Sequence, residues 1–169
     1  MRSDHRPLAL FDLDGTLADS GQRTADSGQR QHCLEGRRRD WNGFFSAAVD
    51  DPPLPEGVRL VLSGAAECEV GHLTGRPERC RRDTLGRLVE QGLPEGRLYM
   101  RSDDDRRPAR HTELEMLHRL GREREVRMLV DDDELVCDAA EPAGFAVVRA
   151  RRAQVPPALK DAQGREGRT

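Results

Sequence analysis

Short apolar runs alternate along this chain with stretches of helical period. The runs lie at 7–11, 69–73, 97–100, 126–130 and 145–148, and the helical stretches at 57–66, 77–91, 109–120 and 133–140. Gly92 and Gly121 stand where two of those helical stretches should stop. A strand reaches a parallel neighbour only through a crossover, so strands alternating with helices build a parallel sheet with helices on both faces. The expected fold class is α/β, a Rossmann-like parallel sheet flanked by helices. At 169 residues the chain has the length of one domain, read here as residues 1–150.

The alternation breaks over 18–55, which is expected to be at most a small cap insert. It carries a tandem repeat, ADSGQR at 18–23 and again at 25–30, joined by Thr24. Polar, glycine-containing chain of this kind lengthens a surface segment and offers little to a core; the other reading is a change to a flap beside the motif that precedes it. The tail, 151–169, is polar and without period and is expected to be disordered. A formal net charge of -3, with the 35% of charged residues mixed in sign, gives no general attraction for polyanions. No apolar run approaches the ~20 residues that span a bilayer, and the start lacks a signal peptide's apolar stretch, so a soluble, cytoplasmic protein is expected. Cys33, Cys68, Cys80 and Cys137 form no CxxC pair, which suggests reduced thiols and neither zinc nor redox chemistry. Lys160 is the only lysine.

Chemistry concentrates first in FDLDGTL, from Phe11 to Leu17. Asp12 and Asp14 lie two apart at the carboxyl end of an expected strand, the edge where open parallel sheets bind ligands, and that spacing sends both carboxylates to one side. An aspartate can attack phosphorus covalently while a neighbouring carboxylic acid protonates the leaving oxygen. An isolated DxDG is equally a cation-binding or turn-forming loop. The apolar strand before it, with Thr16 and Leu17 after it, favours catalysis.

FDLDGTLADS resembles the first motif of the haloacid dehalogenase superfamily of phosphatases, and the other motifs of that family can be followed in order. LTGRP at 73–77 is similar to the second, implying that Thr74, Gly75 and Arg76 contact a phosphate, with the backbone N–H groups of a following helix and a charge-assisted arginine contact. Alone, TGRP would be a helix cap. LVDDD at 129–133 matches the acidic pair. The resemblance implies that Asp131 and Asp132 complete, with Asp12 and the backbone carbonyl of Asp14, the oxygen-rich shell that Mg²⁺ prefers. Three acids on a surface are usually solvated charge, but at this sheet edge a cation that offsets their repulsion explains them better. The finer likeness is to the phosphatase half of phage-type polynucleotide kinase-phosphatases, carried by Asp40, Trp41, Phe44 and Phe45, by TGRP, and by the Met-Arg ending at Arg101. Trp41 reads as packing more readily than as a base-stacking platform.

One position departs from the family. Where a lysine is expected near the start of the third-motif helix, RPARHTELEML places Glu113. Loss of one transition-state donor lowers a rate by ~10²–10³, and a carboxylate ~5 Å from the phosphate opposes it by about 3 kcal/mol at an effective dielectric near ~20. Either Glu113 faces the site, or it turns away and Arg110, one helical turn earlier, supplies the cation. The function implied is a Mg²⁺-dependent phosphomonoesterase. Asp12 would be its nucleophile and Asp14 its general acid then base, while Thr74, Gly75, Arg76 and Arg110 bind phosphate and Asp12, Asp14, Asp131 and Asp132 the metal. The expected partner is a phosphorylated small molecule or nucleic-acid end, with no membrane and no obligate protein partner. No GxxxxGK[ST] loop of a kinase half occurs. The alternative is a pseudophosphatase that acts by binding alone.

Overall fold

β1 (Leu8–Phe11) is buried at every residue, as a strand must be when both faces of its sheet are covered. A computed structural model of the chain describes residues 6–18 and 53–150. The tandem repeat, Asp40, Trp41, Phe44, Phe45, Cys33 and the tail 151–169 lie outside the described residues. β1 sits at the centre of a five-stranded sheet with β2 (Glu69–Pro77), β3 (Arg97–Arg101), β4 (Val126–Asp131) and β5 (Val147–Arg149), in the order β3-β2-β1-β4-β5. Every pairing is parallel.

The period of two along β1 divides the core. Ala9 and Phe11 join Val61 of α1 (Pro55–Glu67) and Leu88 of α2 (Arg81–Glu90) on one face. Leu8 and Leu10 meet Leu117 of α3 (Ala109–Glu123) and Val136 of α4 (Glu134–Ala140) on the other. Helices therefore cover both faces. From β1 the chain moves outward to β2 and β3, then returns to the far side of β1 to lay down β4 and β5. The reversal puts a crevice between the carboxyl ends of β1 and β4, where open sheets of this kind bind ligands. A hydrogen bond from Asp12 N–H to the Val130 carbonyl, 2.9 Å, closes the pairing at that point.

The expected boundaries shift most at β2. A helix was expected from 77; instead the strand runs on through Pro77, a 3₁₀ turn covers Glu78–Cys80, and α2 begins at Arg81. Proline bars its predecessor from the helical region, so Arg76 stays extended, and after a register shift Pro77 pairs with Arg101 of β3. Among the described residues no helix is long and apolar enough to cross a membrane. Cys68, Cys80 and Cys137 are free thiols.

Candidate active site

The FDLDGTL loop is held by its apolar residues. Leu13 and Leu17 enter the core beside Phe11, while Asp12, Asp14 and Thr16 are buried at the sheet edge. The Leu13 carbonyl accepts N–H bonds from Thr16, Leu17 and Ala18, and Gly15, with φ 84°, turns the chain in a conformation that other residues rarely adopt. The start of α1 packs directly on this loop. A Cβ at Gly57 would stand 1.9 Å from the Thr16 carbonyl oxygen, so glycine alone fits there. Leu54 N–H donates to the Leu17 carbonyl at 2.8 Å, and Ala18 bridges both Asp14 and Pro53.

Carboxylate oxygens of Asp12, Asp131 and Asp132 lie within 4.8 Å of one another. Asp12 leaves β1 and Asp131 ends the adjacent β4, so parallel pairing alone brings the two together. The Thr16 hydroxyl is 3.1 Å from Asp132 Oδ1 and 3.4 Å from Asp12 Oδ2, and its one proton ties the two acids. Asp131 Oδ1 accepts the Asp133 N–H at 2.8 Å, and Asp133 caps α4 by accepting the Leu135 N–H at 2.9 Å. Burial pushes the Asp12 carboxyl well above the usual carboxylate range, and Asp131, Glu113 and Asp14 push it further, against a weaker bond from the Leu13 backbone. Asp12 Oδ1 is buried without a hydrogen-bond partner. A divalent cation fits this set: hard oxygen donors from two strands, one with an unused buried oxygen, in surroundings that penalise their charge.

The Asp14 side chain is paired with an arginine. It accepts two bonds from Arg76, Nε to Oδ2 at 2.8 Å and Nη2 to Oδ1 at 2.6 Å, with both residues about 95% or more buried. Arg76 Nη1 also reaches the Thr84 hydroxyl of α2 at 3.3 Å, and the Thr74 hydroxyl accepts the Arg76 N–H at 3.2 Å. The sequence reading placed Arg76 on a phosphate and a helix N-terminus behind Thr74. Here Arg76 is the partner of Asp14, and the segment after Pro77 is a 3₁₀ turn at Glu78–Cys80 followed by α2 from Arg81. Thr74, Gly75 and Arg76 still share the sheet edge with Asp12, because β2 pairs with β1.

Glu113 faces the interior. Ala109, Glu113, Leu117 and Leu120 form the buried stripe of α3, and Glu113 is 3% exposed. Burial raises its pKa well above normal, Asp131 and Asp133 add to the rise, and Arg101 opposes it. Arg110 is half-buried, and its charge acts on Asp133. Arg101, at the end of β3, was missed as a site residue. Its guanidinium holds the 102–108 loop by donating to the Asp105 and Arg107 carbonyls and the Thr112 hydroxyl. Thr16 was missed in the same way, although its place four residues after Asp12 was a signal of its role.

No protein-family model and no curated protein matches the sequence. Solved structures do match in shape. A protein in the structure of a Pnkp1/Rnl/Hen1 complex aligns over 90% of this chain with TM-score 0.69 and 19% identity, and one in the Pnkp1/Rnl/Hen1 RNA repair complex over 91% with TM-score 0.68 and 22% identity. A haloacid dehalogenase-like family hydrolase from Streptococcus pneumoniae aligns over 94% of this chain and 91% of its own, with TM-score 0.60 and 13% identity. The fold is haloacid dehalogenase-like. Within that fold this chain spans about half the length of the two complex components, 48% and 46%. The strand order and the helices on both faces are thus those of a haloacid dehalogenase-like fold.

Proposed function

We propose that this chain is a Mg²⁺-dependent phosphomonoesterase that works through an aspartyl phosphate. The observation that carries the proposal is Asp12, a buried carboxylate with an unpartnered oxygen, set between the Asp131–Asp132 pair and the Arg76–Asp14 pair. Asp12 Oδ1 is the attacking atom: it forms a bond to phosphorus as the phosphorus–oxygen bond to the leaving group breaks. Asp14 stands two residues on to protonate that leaving oxygen and then to take a proton from the water that hydrolyses the acyl phosphate. Thr74, Gly75 and Arg76 line the edge where the transferred phosphoryl oxygens lie, with Arg110 at the rim. A phosphate arriving there competes with Asp14 for the Arg76 guanidinium, so Arg76 both positions the acid and senses the substrate. The acids Asp12, Asp131 and Asp132, with the Asp14 carbonyl, would hold Mg²⁺, which when bound neutralises the carboxylates and the developing phosphoryl charge.

The likeness to RNA-repair components makes 3′-phosphorylated oligonucleotides the first substrates to try, with nucleotides and small phosphoesters beside them. Turnover of p-nitrophenyl phosphate with Mg²⁺ tests the chemistry. Asp12→Asn should lower it at least ~10³-fold, as loss of a nucleophile does in other covalent enzymes. Turnover that survives in that variant rules out Asp12 as the nucleophile. A second reading, a domain that binds phosphorylated ligands without turning them over, is favoured by one observation, the buried carboxyl of Glu113 beside the trio. Phosphate binding with no Asp12-dependent turnover of any phosphoester would establish it.

A further inference from the structure

Of the residues of α2, Thr84 alone is buried, while Leu85 and Val89 of the same helix are exposed. The face that a helix turns to a core ordinarily carries aliphatic side chains, because a buried hydroxyl costs stability unless it is hydrogen-bonded. Here the hydroxyl accepts a bond from Arg76 Nη1 at 3.3 Å. The most buried position of α2 is thus given to a polar contact with the end of β2.

The guanidinium is held from two sides. Nε and Nη2 donate to the Asp14 carboxylate, from the loop after β1, and Nη1 donates to Thr84, from α2. The two partners differ in charge. A phosphate group reaching the sheet edge is an anion like Asp14 and competes for the same donors, whereas a neutral hydroxyl on Nη1 can keep its bond during that exchange. Arginine is long and rich in rotamers, so a guanidinium without such a tether loses its orientation when the carboxylate lets go.

We propose that Thr84 is a positioning residue, which through Nη1 keeps the Arg76 guanidinium oriented at the sheet edge while Asp14 and a phosphate group exchange on its other nitrogens. The proposal rests on the reading above that Arg76 binds the phosphate group of the substrate. It adds a residue from α2, outside FDLDGTL, LTGRP and LVDDD, to the set that governs phosphate binding.

Inorganic phosphate is the probe, titrated calorimetrically into the full chain with Mg²⁺, so that binding is read apart from turnover. Thr84→Val removes the acceptor at nearly constant volume and should weaken phosphate binding ~5–10-fold, as expected when one rotamer-rich side chain must be ordered on binding. Thr84→Ser keeps the hydroxyl and should bind as the native chain does. In turnover, Thr84→Val should raise KM by the same factor and leave kcat in place, because a contact kept from bound substrate to transition state acts on both alike. Arg76→Lys keeps a charge but has no Nη1, so in that background Thr84→Val should weaken binding by less than ~2-fold. Equal weakening in both backgrounds overturns the proposal, as does native-like binding by Thr84→Val. Thr84→Ala, well suited to a helix, reads the same contact where the valine variant does not fold. No phosphate binding by the native chain removes the phosphate role of Arg76 and that of Thr84 with it. Phosphate binding that depends on Thr84, without Asp12-dependent turnover, leaves Thr84 in its role and sinks the phosphatase.

Discussion

Two buried acidic groups lie side by side at this sheet edge and are stabilised in opposite ways. Asp14 has its counter-ion built in, a bidentate guanidinium with 2.6 and 2.8 Å bonds, supported by Thr84. Asp12, Asp131 and Asp132 bring carboxylate oxygens within 4.8 Å of one another, and burial with neighbouring negative charge raises the pKa of Asp12. One side is complete without a ligand. The other has like charges gathered together, an arrangement that costs stability unless the charges are neutralised.

Removing the built-in partner should have the largest effect. Arg76→Ala removes the counter-ion of buried Asp14, which typically destabilises by ~3–5 kcal/mol, and Asp14→Asn in the same chain should recover much of that loss. Urea denaturation measures both; a loss below about 1 kcal/mol for Arg76→Ala would mean that the pair is not the stabilising contact described here.

His72 shows a third way to bury a polar group. It lies in the middle of β2, 1% exposed, without a well-formed ring hydrogen bond, and burial lowers its pKa to about 4 against a weak pull from the Pro94 carbonyl. A folded pKa of about 4 below the unfolded 6.5 means that the unfolded chain takes up the proton first as pH falls. Stability should therefore fall between those values at up to ~1.4 kcal/mol per pH unit, on the order of 3 kcal/mol in all. His72→Leu should flatten the profile between pH ~6.5 and ~4.5 relative to the native chain. Parallel profiles would show that burial does not hold His72 neutral in the folded chain.

Mg²⁺ should act on the incomplete side alone. At one hundred times its dissociation constant a ligand of the native state adds ~2.7 kcal/mol, visible as a rise in Tm. Asp131→Asn should abolish most of that rise, while Arg76→Ala should keep it. An equal rise in the native chain and in Asp131→Asn would move the metal elsewhere.

Much of this arrangement was legible from the chain. Apolar runs ending in Asp12, Leu73 and Val130 put the motifs at one edge because parallel strands all present their carboxyl ends together. The phase of α3 was legible too: Glu113 is four residues before Leu117 and four after Ala109, on the buried stripe, whereas Arg110 falls beside it. That spacing accounts for the burial of Glu113. What could not be read was the partner of Arg76. A guanidinium at the end of β2 can reach either a ligand or the carboxylate beyond the end of the adjacent β1, and spacing along the chain does not distinguish them; here it holds that carboxylate.

The junction at Ala18 and Pro53 has a consequence for how such a domain changes over time. Leu17 and Leu54 are hydrogen-bonded, Ala18 bridges Pro53, and Gly57 presses on Thr16, so the chain departs from the first loop and rejoins it through a single clasp. Whatever length lies between the two halves of the clasp, its closure entropy grows only with the logarithm of that length, ~0.6 kcal/mol per doubling. The first ADSGQR starts at Ala18 itself, so a duplication that begins there adds chain length at the clasp and little closure entropy.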